Sequence, residues 1–310
     1  MRLCSWCALP VVVFSTIESS WVDVEEDSTD ESTEFIEDGW LMVNSGYINF
    51  SLPLIGTSER MRLWKSAIPP PGKTFEESFN EHFDRLSDHT KASIMVDIKR
   101  SGVGMSYSGK YDWLEDVLKA YAVRNEQVRY CQGMNYIAAK FIEMGFSKKD
   151  AFFGLAFLLE RVAVGYHTED FHGFANDTAI VGKVIEKSFP ATAAKIAAIN
   201  IEGDDIVHMI TVDTSLSLFA RSLPPHAILP IWDILMVHGR RGLLAATTGM
   251  IVFVGDCFPS EFNYEAVPKA IRCYSDGLST ISIDKLPVLL GLIDLVLDSP
   301  QVREINPFAR

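Results

Sequence analysis

From about residue 57 onward, apolar side chains return every three or four positions and almost never alternate, which commits the chain to packed helices. Phe75, Phe79, Phe83 and Leu86 share one helical face. Thr74-Phe75-Glu76-Glu77 opens that face as a capping box, its hydroxyl and carboxylate satisfying the first free amides. Trp113, Leu114, Val117, Leu118 and Tyr121 define a second amphipathic helix. Tyr136, Ile137, Phe141 and Met144 define a third, ending at Gly145. Ala151 to Val164 is apolar nearly all round and should lie centrally. Further helices are expected near 176–188, 204–220, 225–238, 242–254, 260–275 and 284–297. Pro225 and Pro259 suit first turns, and Gly239 suits a helix end. There is no internal repeat. The expected body is all-α.

Residues 1–56 read differently. Ten acids within residues 1–38 face Arg2 alone, so that segment carries −9 of the net −13. Its acidic, Ser/Thr-rich part, 18–38, can bury little apolar surface and is expected to be disordered. Residues 39–56 alternate weakly around Asn44-Ser45-Gly46 and would make a short hairpin. Arg2 with Leu3 to Phe14 has the start of a signal peptide, but Pro10 interrupts it and no small-x-small cleavage site follows. At the other end, 298–310 reads as a C-terminal tail.

Composition excludes several classes of function. The body, 39–310, is nearly balanced in charge and shows no dense basic stripe, which argues against nucleic acid as a partner. No uncharged apolar run reaches 18 residues, so no transmembrane segment is expected. The longest candidate, Gly242 to Gly255, reads as a buried helix. Five cysteines, odd in number and widely spaced, form no evident framework and fit a reducing setting. Cys4-x-x-Cys7 has no second pair, so no metal site is expected. Pro69-Pro70-Pro71-Gly72-Lys73-Thr74 ends like a nucleotide-binding loop. However, Ala67 stands where the first glycine is needed, and three prolines remove amide donors.

Three local patterns follow in order. The first is Ile94-x-x-Asp97-x-x-Arg100. Three apart on a helix, the Asp97 carboxylate can orient the Arg100 guanidinium, and Ser101-Gly102-Val103-Gly104 should end the helix with Arg100 at an exposed edge. The second is Tyr130-Cys131-Gln132-Gly133-Met134-Asn135, between two helices. The third runs through Leu218-Phe219, Leu223-Pro224, Ile231-Trp232-Asp233 and Gly239. Taken singly, each has an ordinary explanation. The ion pair would be worth on the order of a few tenths of a kcal/mol, the glutamine would be a loop amide, and the rest would be core.

Together, in this order, they resemble the TBC domain of Rab GTPase-activating proteins. Its signatures are an Ile-x-x-Asp-x-x-Arg motif, a Tyr-x-Gln motif and a Leu-Phe…Leu-Pro…Ile-Trp-Asp…Gly motif. The resemblance covers roughly residues 57–297 and includes Ala120-Tyr121-Ala122 before the glutamine loop. Arg62-x-Trp64-Lys65 looks like the family's opening Arg-x-x-Trp element, one residue short.

The resemblance implies an all-α, two-lobed domain that acts in trans on a Rab-type GTPase in its GTP-bound state. Arg100 would be the arginine finger and Gln132 the residue that orients the water. Asp97 would position Arg100, while Tyr130, Gly133 and Asn135 would hold the glutamine loop. Ile94, Leu218, Phe219, Pro224, Trp232, Asp233 and Gly239 would be structural. The partner carries GTP and magnesium, so no cofactor of its own is implied. The expected setting is vesicle and protein traffic, in the cytosol or peripherally on endomembranes. The alternative is a TBC-type scaffold that binds a GTPase or another partner without accelerating hydrolysis. Three departures stand out. Arg129 replaces a common glycine, Thr214 replaces a frequent tryptophan, and the residues after Arg100 lack the usual hydrophobic-Pro continuation.

Overall fold

Phe35 and Ile36 are adjacent β-formers in an otherwise acidic stretch, and there the first element forms. The computed structural model describes residues 35–37, 40–43, 46–49, 56–68, 75–80, 86–101, 110–200 and 206–308. Strands β1 (Phe35–Glu37), β2 (Trp40–Val43) and β3 (Gly46–Asn49) pair antiparallel in chain order, Phe35 opposite Met42 and Val43 opposite Gly46. The β2–β3 pair is the expected hairpin. Strand β1 lies at the end of the acidic stretch 18–38. The rest of 18–38, the apolar run 2–14, Cys4-x-x-Cys7 and 69–74 lie outside the described residues, as do Phe83, Gly102 and Gly104.

Beyond Gly56 the described residues contain no strand. Helices α1 (Thr57–Ala67), α2 (Phe75–Asn80), α3 (Asp88–Arg100), α4 (Lys110–Arg124), α5 (Met134–Glu143) and α6 (Lys148–Phe157) come first. Ser87 and Ser147 start α3 and α6 by accepting from Thr90 N and Asp150 N, each at 3.1 Å. A buried π-helical turn, Leu158–Val162, follows α6. Then come α7 (His172–Ser188), α8 (Pro190–Ile199), α9 (Ile206–Leu216), α10 (Pro225–Val254), α11 (Ala266–Ser279), α12 (Leu286–Leu297) and α13 (Pro300–Arg303).

Two groups of helices result, the two lobes expected. Helices α2–α6 pack around α4 and α6, and α7–α13 pack around α10. Helix α1 and the π-helical turn both touch α10, and one apolar core runs through both groups. At the junction the Trp232 ring lies 5.8 Å from Trp64 and 5.1 Å from Phe141. Beneath these rings, fully buried Asp233 accepts from Arg60 Nε (2.9 Å), Arg60 Nη2 (2.9 Å) and Trp64 Nε1 (2.8 Å). Burial pushes its carboxyl up to about 6 against the pull of Arg60 and Trp64.

Several details differ from the sequence reading. The arginine that shares Asp233 with Trp64 is Arg60, four residues earlier on the same helical face. Arg62 instead pairs with Glu59 at the surface. Trp113 is exposed while Leu114, Val117, Leu118 and Tyr121 are buried. Pro259 starts no helix, and α11 begins at Ala266. Cys257 and Cys273, 16 residues apart in sequence, are bonded, because the end of α10 returns beside α11 and brings their Cα atoms within 6.1 Å. The expected tail packs: Val302 is buried and the Phe308 ring lies 5.7 Å from that of Phe157. No helix among the described residues is long and apolar enough to cross a membrane.

Candidate functional site

Helix α3 buries Ile94, Asp97 and Ile98, which leaves Arg100 at its exposed C-terminal end. The Arg100 side chain is 59% exposed, whereas that of Asp97 is 9% exposed. Asp97 has its two oxygens divided between neighbours. Oδ1 accepts from Arg100 Nη1 at 3.2 Å, and Oδ2 accepts from the Tyr130 hydroxyl at 2.9 Å. Burial, and the facing Asp97 carboxylate, push the Tyr130 phenol upward, so it stays a donor.

The glutamine loop is fastened by one buried amide. Asn135 Nδ2 donates to the Asp97 carbonyl (3.1 Å) and to Ser101 Oγ (2.9 Å), while its Oδ1 accepts from Gly133 N (3.0 Å). Asn135 therefore ties the backbone beside Gln132 to the helix turn that carries Arg100. Gln132 itself is exposed. The arrangement presents a guanidinium and a carboxamide outward from one hydrogen-bonded frame.

Gly133 has to be glycine. Its φ is +112°, and a Cβ there would come within 2.5 Å of the Leu216 carbonyl oxygen. That carbonyl, at the end of α9, accepts from His167 Nε2 at 2.8 Å. Burial pushes the His167 imidazole down to about 4, so the ring is neutral. Cys131 is half-buried, and burial together with Asp97 pushes its thiol up, which disfavours the nucleophilic thiolate. Among the described residues no group of three or more His, Cys, Asp or Glu side chains is placed to hold a metal ion.

The third pattern lies behind the loop rather than in it. Leu218 and Phe219 both adopt positive φ, 45° and 66°, and are fully buried. The Trp232 indole donates to the Leu218 carbonyl at 2.8 Å and holds that turn closed. Pro224 caps α10 in extended conformation. Gly239 breaks α10 with φ 54° and ψ −132°, against the Pro307 carbonyl, which accepts from Arg240 N at 2.7 Å.

The family model described as the Rab-GTPase-TBC domain matches residues 58–254, more than half the chain. The chain belongs to this family. Among Rab-GTPase-TBC relatives, it is 26% identical over 200 residues to mouse "TBC1 domain family member 30", covering 59% of this chain and 26% of that protein. It is 30% identical over 129 residues to rat "Growth hormone-regulated TBC protein 1", covering 41% and 43%. The chain thus spans less than half the length of each of these relatives. The Chlamydomonas flagellar RabGAP TBC domain superposes with a TM-score of 0.61 at 19% identity, over 77% of this chain and 80% of that one. The Ypt/Rab-GAP domain of Gyp1p gives 0.64 at 13% identity, over 80% and 90%. Both share the TBC fold.

Two departures from the TBC pattern acquire a physical account. Arg129 has φ 55°, the left-handed conformation that glycine adopts without cost and a non-glycine residue adopts only under strain. Thr214 is buried, its hydroxyl donating to the Thr211 carbonyl, with the buried Tyr274 beside it. Sequence reasoning missed Arg60, Ser101 and His167, whose partners become neighbours only in the folded chain.

Proposed function

We propose that this TBC domain is a GTPase-activating protein for a Rab-type small GTPase. GTP hydrolysis on such a GTPase is slow because charge developing on the transferred phosphoryl group is poorly neutralised and the attacking water poorly aimed. Arg100 supplies the missing charge from outside. Gln132 accepts a hydrogen bond from the water and fixes its line of attack. GTP and magnesium belong to the partner, and this chain contributes side chains only.

The observation that carries this reading is the Asn135 hydrogen-bond set. It fixes an exposed arginine and an exposed glutamine to one buried frame through Asp97 and Gly133. Such preorganisation favours the transition state because nothing has to reorganise when charge develops. The corresponding setting is vesicle-mediated and intracellular protein transport, in the cytosol or peripherally on endomembranes.

The test is single-turnover GTP hydrolysis across a panel of Rab GTPases. Arg100→Ala, Arg100→Lys and Gln132→Ala should each lose most of the stimulation, since a finger of this kind contributes about 10³–10⁵ in rate, or about 4–7 kcal/mol. Lysine keeps the charge but lacks the planar fork that bridges two oxygens. All three should fold normally by circular dichroism. Binding to a GTPase with no stimulation of its hydrolysis would favour the scaffold reading instead.

A further inference from the structure

The bond between Cys257 and Cys273 ties the end of α10 to the middle of α11. Cys257 closes the short 3₁₀ turn Gly255–Cys257 and is exposed, while Cys273 is half-buried. From Ser260 to Glu265 every residue is exposed, so the loop between the two cysteines buries almost no apolar surface. The first half of α11 is held lightly as well, since it buries only Ala266, Val267 and Ala270. Past Cys273 the packing is closer. Tyr274 is fully buried beside Thr214 of α9, and a Cβ on Gly277 would come within 2.6 Å of Val254 Cγ1 at the end of α10.

A disulfide at an exposed residue is open to attack by an external thiolate, and exposed bonds are the labile ones. Helix α11 packs on α9 as well as on α10, and the Leu216 carbonyl at the end of α9 stands directly behind Gly133. A tie on α11 therefore bears, through Tyr274 and Thr214, on the helix that backs the glutamine loop. We propose that Cys257 and Cys273 are a reversible redox site, opened by a dithiol and reclosed by a hydroperoxide, whose closed form braces α9. In opening, a thiolate of the dithiol attacks Cys257 Sγ, and Cys273 leaves as a thiolate that takes up a proton. The second thiol of the reductant, deprotonated, then displaces Cys257, which is protonated in turn. Two electrons have passed to the chain, and the reductant leaves as a disulfide. In closing, the Cys257 thiolate attacks hydrogen peroxide, becomes a sulfenic acid and releases hydroxide. Cys273 then displaces the sulfenic oxygen as water, and the bond reforms. The close contact of Gly277 with Val254 keeps the two sulfurs within reach of each other while the bond is open.

The test uses the full chain, equilibrated with reduced dithiothreitol and then with hydrogen peroxide. Alkylation and peptide mass spectrometry follow the bond, circular dichroism follows the fold, and amide hydrogen exchange follows residues 206–216. The bond should open in dithiothreitol with the helical signal intact and reclose in peroxide. Opening should speed exchange in α9 by about tenfold or more. It should also lower the melting temperature by about 5 °C, because a closed loop of this length restricts the unfolded chain. Cys257→Ser and Cys273→Ser should each match the open form in both solutions. Should Cys273→Ser misfold, Cys257→Ser, at the exposed end, carries the comparison. A bond that opens only once the helical signal is lost is a permanent fastening and overturns the proposal. Thiols that stay unpaired in peroxide, or exchange in α9 that ignores the bond, overturn it equally. No GTPase enters these measurements, so their failure leaves the activator reading where it stands.

Discussion

His167 shows how much a single buried side chain can impose on this site. Its Nε2 is spent on the Leu216 carbonyl, and its Nδ1 has no partner among the described residues. Burial lowers its pKa from the usual 6.5 to about 4, so the folded state binds fewer protons than the unfolded state across that window. The stability this neutral ring contributes is therefore complete above about pH 6.5 and lost as pH falls toward 4. At pH 5 the loss should reach about 2 kcal/mol. Urea unfolding at pH 7 and pH 5 measures it, and His167→Gln, which keeps an N–H donor but does not titrate, should show a smaller acid loss. An equal loss in both proteins would remove His167 as the cause. Arg129 makes the opposite kind of statement. A non-glycine residue at φ 55° costs about 1–3 kcal/mol, and the Asn125 carbonyl, which accepts from Arg129 N at 2.7 Å, helps hold it there.

Among the elements, α1 and α10 are joined by the most buried polar contact at the junction of the two lobes. Removing one partner of a buried ion pair leaves the other charge uncompensated, at about 3–5 kcal/mol. Arg60→Ala should cost that much in urea unfolding. Arg62→Ala, at the surface, should cost under about 1 kcal/mol. Near-equal costs would mean that the α1–α10 contact depends little on Arg60. This pair also marks where sequence reading ran out. Helices with an apolar stripe, such as α4 with Leu114, Val117 and Leu118, were legible because burial of one face leaves a period. Helix α8 was missed because its run of alanines has no stripe and buries only Thr192 and Ile199. Arg60 and Asp233 lie 173 residues apart, and the bond of Cys257 to Cys273 depends on the path after α10. No local pattern encodes either meeting. At the site, Asp97, Arg100, Tyr130, Gln132 and Asn135 were legible as ordered motifs, while the Leu216 carbonyl behind Gly133 needed α9 brought against the loop.

At the scale of the whole molecule, the chain closes on itself near residue 308. Val302 is buried, Phe308 packs on Phe157, and the Pro307 carbonyl seals the break in α10 at Gly239. Deleting 298–310 should therefore lower stability by at least about 3 kcal/mol, read as a fall in melting temperature. An unchanged melting temperature would show that α10 holds its break unaided. The net charge of −13 belongs largely to residues 1–38, whereas Lys99, Arg100, Arg129 and Arg221 stand exposed on the elements that meet at Gln132. Electrostatic steering should accordingly be local to that face and weaken with salt. The seal at Pro307 also sets a timetable for synthesis. On the ribosome, the apolar length of α10 leaves the exit tunnel well before residue 307. Until then its break faces water and α12, its main packing partner, is not yet made. The second lobe therefore completes its packing only after residue 307 has left the tunnel, and α10 stays exposed until then.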